Sequence, residues 1–230
     1  MGCRIVTGTS LELAGRLAAR TGGRLATHPV SHRMYLASKR VLDFVLCLIA
    51  LVVLSPLFAL LALAVRLDTP GPVLFTQLRT GRDGVRFRMY KFRTMVQNAE
   101  ELKPSLQHLS IVPWPDFKVI DDPRVTRVGR ILRKTSLDEL PQLINVLLGE
   151  MTLVGPRPTS FAASTYELWH TKRLDVRPGI TGLWQIRGRN TTTFDERLRL
   201  DIEYVSRMSF SLDLQILGGT VRAVLKRSGA

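Results

Sequence analysis

Phe44–Val65 reads FVLCLIALVVLSPLFALLALAV, 22 residues without a charged side chain. A membrane-crossing helix needs about 20 apolar residues, so the run is long enough. Forty-three residues precede it and no A-x-A cleavage pattern follows, which argues for a retained anchor rather than a secretory signal. Ser55-Pro56 stands at its middle. Proline donates no N–H and its ring clashes with the preceding turn, so a kink is expected there. Both flanks are basic: Lys39 and Arg40 precede the run, and Arg66, Arg79, Arg82, Arg86, Arg88, Lys91 and Arg93 follow it. Positive residues mark the cytoplasmic side. A helix that enters, bends at Ser55-Pro56 and leaves on the same face satisfies both features. A Pro-kinked spanning helix is the other reading, and the run alone does not choose between them. Asp43 is expected to pair with Lys39 or Arg40, its i−4 and i−3 neighbours.

Outside the anchor the chain is strongly basic, with 33 Lys and Arg against 19 Asp and Glu and a net charge of +14. That balance favours polyanionic partners: anionic lipid head groups, phosphorylated substrates or nucleic acid. A nucleic-acid surface calls for aromatics interleaved with the cations, and aromatics are only 7% of the chain, so no nucleic-acid partner is expected. Cys3 and Cys47 are the only cysteines, too few for a disulfide framework or a Cys-based zinc site. Cys47, inside the apolar run, reads as a small hydrophobe.

The pattern divides the chain into a basic N-terminal segment (1–38), a membrane helix–break–helix (39–66) and a catalytic domain (67–230). Asp68-Thr-Pro-Gly-Pro72 ends the anchor. Val73–Gln77 and Val85–Tyr90 flank the turn 80–84 and predict a β-hairpin. Helical character is expected over Met95–Leu109, Arg124–Lys134, Leu140–Leu148, Phe161–Arg173, Phe194–Arg207 and Leu212–Lys226. Arg177–Gly182 reads as a turn and Leu183–Ile186 as a short strand. Helix exceeds strand and no βαβ alternation appears, so the fold class is α+β, mainly helical.

The stretch that carries chemistry runs from Asp121 to Pro158. Arg124, Arg127, Arg130 and Arg133 recur every three residues, which winds a basic stripe around a helix. Ser136-x-x-Glu139 fits a capping box, although Pro141 then lies beyond the first turn, so the helix either starts nearer Pro141 or kinks there. Either way Asp138 and Glu139 lie at a helix N-terminus, where the dipole favours negative charge. Two adjacent carboxylates repel a phosphate unless a cation intervenes, and Mg²⁺ takes carboxylate and phosphate oxygens together. A carboxylate can also attack phosphorus to give an acyl phosphate. Pro156-Arg157-Pro158 holds a guanidinium on a rigid loop, suited to two phosphate oxygens. Lys91 and Arg133 are further candidate phosphate contacts. Side chains around 180–200, among them Gln185, Arg187 and Arg189, are the candidates for sugar contact and site support.

Lys39-Arg-x-x-Asp43, Ser55-Pro56, Tyr90-Lys-Phe-Arg-Thr-Met95, Asp122-Pro-Arg-Val-Thr-Arg127, Thr135–Leu143, Asn145-Val146, Gly155-Pro-Arg-Pro158, Arg177–Gly182 and Leu212-Asp213-Leu214 are together specific in order and spacing. From Lys39 to Leu225 the chain resembles the bacterial sugar transferase family, the monotopic phosphoglycosyl transferases. The resemblance implies a re-entrant helix broken at Ser55-Pro56, with Lys39 and Arg40 at the lipid interface, on the cytoplasmic face of a bacterial membrane. It implies that Asp138 attacks the β-phosphate of a UDP-sugar, that UMP leaves, and that a polyprenyl phosphate takes the phospho-sugar. Glu139, with Asp138, would hold Mg²⁺. Arg157 would contact phosphate, and Asp213 and Lys91 would support the site. Thr159 departs from the acidic residue common after Gly-Pro-Arg-Pro, and the form is compact, without the multi-helix membrane domain of longer members. The oligomeric state is left open, a homo-oligomer included. A membrane-tethered nucleic-acid binder and a non-catalytic scaffold are the rival readings, and neither gives a reason for Asp138-Glu139.

Overall fold

The computed structural model describes residues 29–112, 117, 119–188 and 193–225. The chain divides into two units, Met1–Ser38 and Lys39–Ala230; the second is the subject below. It is a mixed α+β fold, mostly helical, with a small β-hairpin.

The apolar run forms two helices, α1 (Pro29–Val53) and α2 (Ser55–Asp68), bent by 64° at Leu54. The bend has a local cause. Pro56 cannot donate to the carbonyl of Val52, and the Ser55 hydroxyl donates to that carbonyl instead, at 2.8 Å. Helical bonding continues on both sides, from Leu54 N to Ala50 O and from Phe58 N to Leu54 O. Among the described residues no single helix is long and apolar enough to cross a membrane; the bent pair together reaches that composition.

Both ends of the pair are tied to the same domain. On the α1 side, Lys39 pairs with Asp213 at 2.6 Å, and Arg40 donates to the carbonyls of Val146 and Leu147. The Asp43 carboxylate accepts from the Thr152 hydroxyl and from Leu153 N. Asp43 therefore hydrogen-bonds across to the domain rather than to Lys39 or Arg40, because Lys39 is drawn to Asp213 and Arg40 to a helix end. On the α2 side, Arg93 donates to the carbonyls of Thr69 and Pro70, and Asp68 accepts from Val128 N at 2.9 Å.

Strands β1 (Leu74–Thr80) and β2 (Arg86–Phe92) pair antiparallel with Gln77 opposite Met89, slightly longer than the alternation predicted. β2 turns Phe87 and Met89 inward, onto Cys47 of α1. The Asn145 side chain, fully buried, completes the hairpin's inner edge: it accepts from Tyr90 N and donates to Arg88 O.

Helices α3 (Arg127–Thr135) and α4 (Gln142–Leu148) follow. Thr126 caps α3 through Gly129 N, and Gly149, at φ +84°, closes α4 in the left-handed conformation that glycine adopts without strain. A second sheet then appears that the sequence did not signal. β3 (Thr152–Val154) and β4 (Gly179–Thr181) pair parallel. Residues 177–182 were expected as a turn, since Gly and Pro punctuate them. Gly179 is instead required for close approach: a Cβ there would lie 2.1 Å from Gly155 N. The strand expected at Leu183–Ile186 is a helix, α5 (Leu183–Arg187). The helix expected over Phe161–Arg173 is a series of 3₁₀ turns, Ala163–Thr165 and Leu168–Asp175. Met95–Leu109 is likewise turns and one 3₁₀ stretch, Pro104–Leu109.

Helices α6 (Phe194–Arg207) and α7 (Phe210–Leu225) close the fold, α6 within the bounds predicted. Tyr204, Val205 and Ile216 from these helices pack with Val154, Val176 and Leu183. Leu61 and Val65 of α2 pack with Phe92 and Leu132, which fixes α2 to β2 and α3.

Candidate active site

Ser136 sets up the site, though not as the capping box predicted. It sits in the left-handed region at φ +59°, where its N–H closes α3 on the carbonyls of Arg133 and Leu132. Its side chain makes no cap bond. The chain then forms a 3₁₀ turn, Leu137–Glu139, and α4 begins after Pro141, the alternative start. Spending Ser136 on the end of α3 releases Glu139 from a capping role.

The Glu139 carboxylate is held by two cations. Lys91 donates to Oε1 at 2.8 Å, and Arg157 grips both oxygens with its two Nη groups. Asp138 lies beside it in a different environment. The Lys91 ammonium is 3.9 Å away, and among the described residues no hydrogen bond reaches the Asp138 carboxylate. Burial pushes Asp138 above the usual carboxylate range, with the Glu139 charge adding and Lys91 opposing. Burial also pushes Glu139 upward, but Arg157 and Lys91 outweigh it and hold Glu139 below the usual range. The adjacent carboxylates are thus driven apart.

Four elements supply the cations, Arg79 coming from β1. Lys91 comes from β2. Arg133 comes from the last turn of α3, with Nε on the Thr94 hydroxyl at 2.9 Å. Arg157 comes from the loop after β3. That loop is fixed from below: Arg173 donates to the Arg157 carbonyl and pairs at 2.6 Å with buried Asp201. Burial raises Asp201 to about 6. Arg79, Lys91, Arg133, Asp138, Glu139 and Arg157 line one open cleft of about 1070 Å³. Gln185 lines it too, with Nε2 on Ile180 O at 3.3 Å. Four cations around two carboxylates leave net positive charge beside an open carboxylate. Such an arrangement can receive an anion and present a nucleophile to it.

Other predicted residues lie elsewhere. Lys39, Arg40 and Asp213 face protein partners, and Asp213 also accepts from the Tyr204 hydroxyl at 2.7 Å. Ser55 and Pro56 form the helix break. Arg187 is exposed and pairs with Glu203. Arg189 lies outside the described residues. Arg124 leaves the predicted stripe. It precedes α3, is buried, and grips Asp122 through Nε at 2.9 Å and Nη2 at 2.6 Å. The stripe is therefore divided, with Arg124 locking a loop, Arg127 and Arg130 exposed, and Arg133 in the cleft. Arg79, Thr94 and the Arg173–Asp201 pair were missed. Arg79 had been read only as flanking charge, and Arg173–Asp201 spans too much sequence for any spacing rule.

Among the described residues no group of three or more His, Cys, Asp or Glu side chains could hold a metal ion.

Comparison with known proteins matches residues 34–227 to the family described as bacterial sugar transferase. The chain is 44% identical over 200 residues to the galactosyl transferase CpsE of Streptococcus agalactiae, covering 85% of this chain and 44% of that protein. It is 41% identical over 223 residues to the UDP-glucose:undecaprenyl-phosphate glucose-1-phosphate transferase of Caulobacter vibrioides, covering 93% and 78%. It is 39% identical over 200 residues to the exopolysaccharide production protein ExoY of Rhizobium meliloti, covering 84% and 88%. The chain spans less than half the length of several relatives it matches, CpsE among them. With the match running through both the helix pair and the cleft, this chain belongs to the bacterial sugar transferase family.

Proposed function

We propose that the protein transfers a sugar 1-phosphate from a UDP-sugar to a polyprenyl phosphate, releasing UMP, as the first membrane step of a glycoconjugate or exopolysaccharide pathway. The observation that carries this reading is the open Asp138 carboxylate beside a Glu139 clamped by Lys91 and Arg157. The names of relatives support the substrates: one is a UDP-glucose:undecaprenyl-phosphate glucose-1-phosphate transferase, another an undecaprenyl-phosphate galactose phosphotransferase.

Asp138 Oδ attacks the β-phosphorus of the nucleotide sugar. The bond from that phosphorus to the bridging oxygen breaks, UMP leaves with the electron pair, and an aspartyl phospho-sugar remains. An oxygen of the lipid phosphate then attacks the same phosphorus, the acyl–phosphate bond breaks, and the Asp138 carboxylate is regenerated with a polyprenyl-diphosphate sugar as product. Glu139 keeps Lys91 and Arg157 aimed at the phosphate, and Arg133 covers the other side of Asp138. Positioned cations stabilise charge spread over phosphate oxygens without reorganising during the reaction.

Mg²⁺ is proposed to arrive on the diphosphate, since it keeps several waters and takes one or two carboxylates together with substrate phosphates. Asp138 and Glu139 would hold it, and it would neutralise charge between carboxylate and phosphate.

The bent helix pair is proposed to enter the cytoplasmic leaflet of a bacterial cell membrane and return. From Val41 to Val53, thirteen residues rise about 20 Å at 1.5 Å each, short of the roughly 30 Å hydrocarbon core. Its apolar side chains are uncovered, with Ile49 55% and Val53 69% exposed, unlike those of a buried core helix. Both ends attach to one domain. Exposed Arg127, Arg130 and Lys134 around exposed Ile131 suit an anionic lipid surface.

The test supplies the purified protein in lipid with undecaprenyl phosphate, Mg²⁺ and a panel of UDP-sugars, and reads UMP. Release with at least one sugar is expected; no UMP from any sugar contradicts the proposal.

A further inference from the structure

Arg79, in the cleft, has few acceptors for its five donors. Arg79 stands near the end of β1, and backbone pairing fixes its place: Thr80 N donates to Thr159 O at 2.9 Å, two residues beyond Arg157. The strand end is thereby stitched to the loop that carries Arg157, and both guanidiniums line the same cleft.

Other buried arginines of the domain have more acceptors at their Nη groups, although the Nε of Arg93 and of Arg173 is unpartnered too. Arg93 donates to the carbonyls of Val65, Thr69 and Pro70. Arg124 grips Asp122 and Ala99 O, and Arg173 pairs with Asp201. Arg79 has one short bond, from Nη2 to the neutral Gln77 amide oxygen at 2.5 Å, and one long one, from Nη1 to Pro158 O at 3.4 Å. Its Nε is buried with no partner. Among the described residues no carboxylate lies within ion-pair distance of it, because Glu139 is already shared by Arg157 and Lys91. A buried N–H donor without an acceptor is costly, and a second guanidinium beside Arg157 repels the first until an anion bridges them. Burial, then the neighbouring Arg157 charge, pushes Arg79 down to about 10, which leaves it charged at neutral pH and short of negative charge.

We propose that Arg79 is a second oxyanion-binding guanidinium of this site, holding with Arg157 a phosphate group in the cleft. This rests on the phosphoryl-transfer reading given above and adds a residue to it. The phosphate is either the diphosphate of the nucleotide sugar or the head group of the lipid phosphate, two sources with the same oxygen chemistry. Arg suits both, since its planar fork takes two phosphate oxygens at once.

The experiment titrates UDP onto the full chain in lipid nanodiscs, for wild type, Arg79→Gln, Arg79→Lys and Arg88→Gln, with a thermal melt for each. Arg88 is exposed on the same hairpin outside the cleft and controls for net charge. Arg79→Gln is expected to weaken UDP binding about tenfold or more, the size of a lost charge-assisted hydrogen bond. Arg79→Lys should recover part of the loss, and Arg88→Gln should bind as wild type does. If UDP binding holds while the KM for undecaprenyl phosphate rises by a similar factor, the anion is the lipid phosphate. Unchanged UDP affinity together with unchanged lipid KM in a folded Arg79→Gln overturns the proposal. If Arg79→Gln does not fold, Arg79→Lys decides: it keeps the charge and loses the fork, so unchanged values there overturn the proposal too. A wild type that binds no UDP removes the phosphoryl-transfer reading and this inference with it.

Discussion

At the foot of the helix pair, Lys39 and Asp213 lie 2.6 Å apart, both buried, with the Tyr204 hydroxyl on the second carboxylate oxygen. In the cleft, Arg79, Lys91, Arg133 and Arg157 stand around Asp138 and Glu139, and among the described residues no hydrogen bond reaches the Asp138 carboxylate. The first cluster balances its charges and seals them from water. The second leaves charge of both signs uncommitted. A buried ion pair with every partner in place serves to join elements, here α1 to α7. A cluster with excess cation and an open carboxylate is held for something that arrives later. Glu139 belongs to the first kind by its bonding and to the second by its place, since it keeps two cations pointed at the space beside Asp138.

The two clusters differ most at Asp138. Asp138→Asn should lower UMP release on the order of a thousandfold or more, as loss of a nucleophile does. It should not cost stability at neutral pH. The raised pKa of Asp138 means its contribution to stability is full below the ordinary value of 3.8 and is lost as pH rises through the folded-state value. The neutral amide removes that loss. Glu139 has the opposite sign. Its pKa is depressed, so its contribution is present above 4.5 and lost as pH falls through the folded-state value. Glu139→Gln should therefore lower the melting temperature where Asp138→Asn does not. Equal destabilisation by both would contradict the contrast.

At the other cluster the expected effect is on folding. Lys39→Ala leaves Asp213 buried without its cation, which typically costs about 3–5 kcal/mol. A thermal or denaturant melt should show this, with UMP release per folded molecule far less affected than by Asp138→Asn. A fold indifferent to Lys39→Ala would mean that the pair does not join α1 to the domain.

The smallest effect sharpens the electrostatics of the cleft. The proposed attack requires an ionised Asp138, so turnover should fall in acid through a pKa above the ordinary Asp value. Lys91 lowers that pKa. Lys91→Gln should move the acid limb of kcat/KM to higher pH, beyond any drop in the plateau. An unshifted limb would mean that the limb reports a group other than Asp138.

Much of this was legible in sequence where one residue type has one dominant physical consequence. Pro56 dictates a break, and the alternation after Val85 a strand facing a core. The misses share a different cause. Gly179-Ile-Thr181 reads as a turn because its glycine permits one, yet here the glycine admits Gly155 to a parallel neighbour, a contact no local pattern encodes. Arg124 looked like part of a stripe until Asp122 locked it, and Ser136 looked like a helix start although it ends the preceding helix. Of the site, the dyad and Arg157 could be found from chemistry and spacing. Arg79 could not, because its significance lies in the partners it lacks, and those are visible only when the hairpin and the Gly155–Pro158 loop are seen side by side.

In the proposed reaction the uncommitted Asp138 carboxylate forms a covalent bond to phosphorus. The most direct measurement incubates the protein with a UDP-sugar that supports UMP release, without lipid acceptor, and records the intact mass after a rapid acid quench. A gain of one sugar phosphate is expected, localised to the peptide containing Asp138, absent in Asp138→Asn and discharged when undecaprenyl phosphate is added. UMP release that occurs only with both substrates present, with no adduct on the protein, would contradict that reaction.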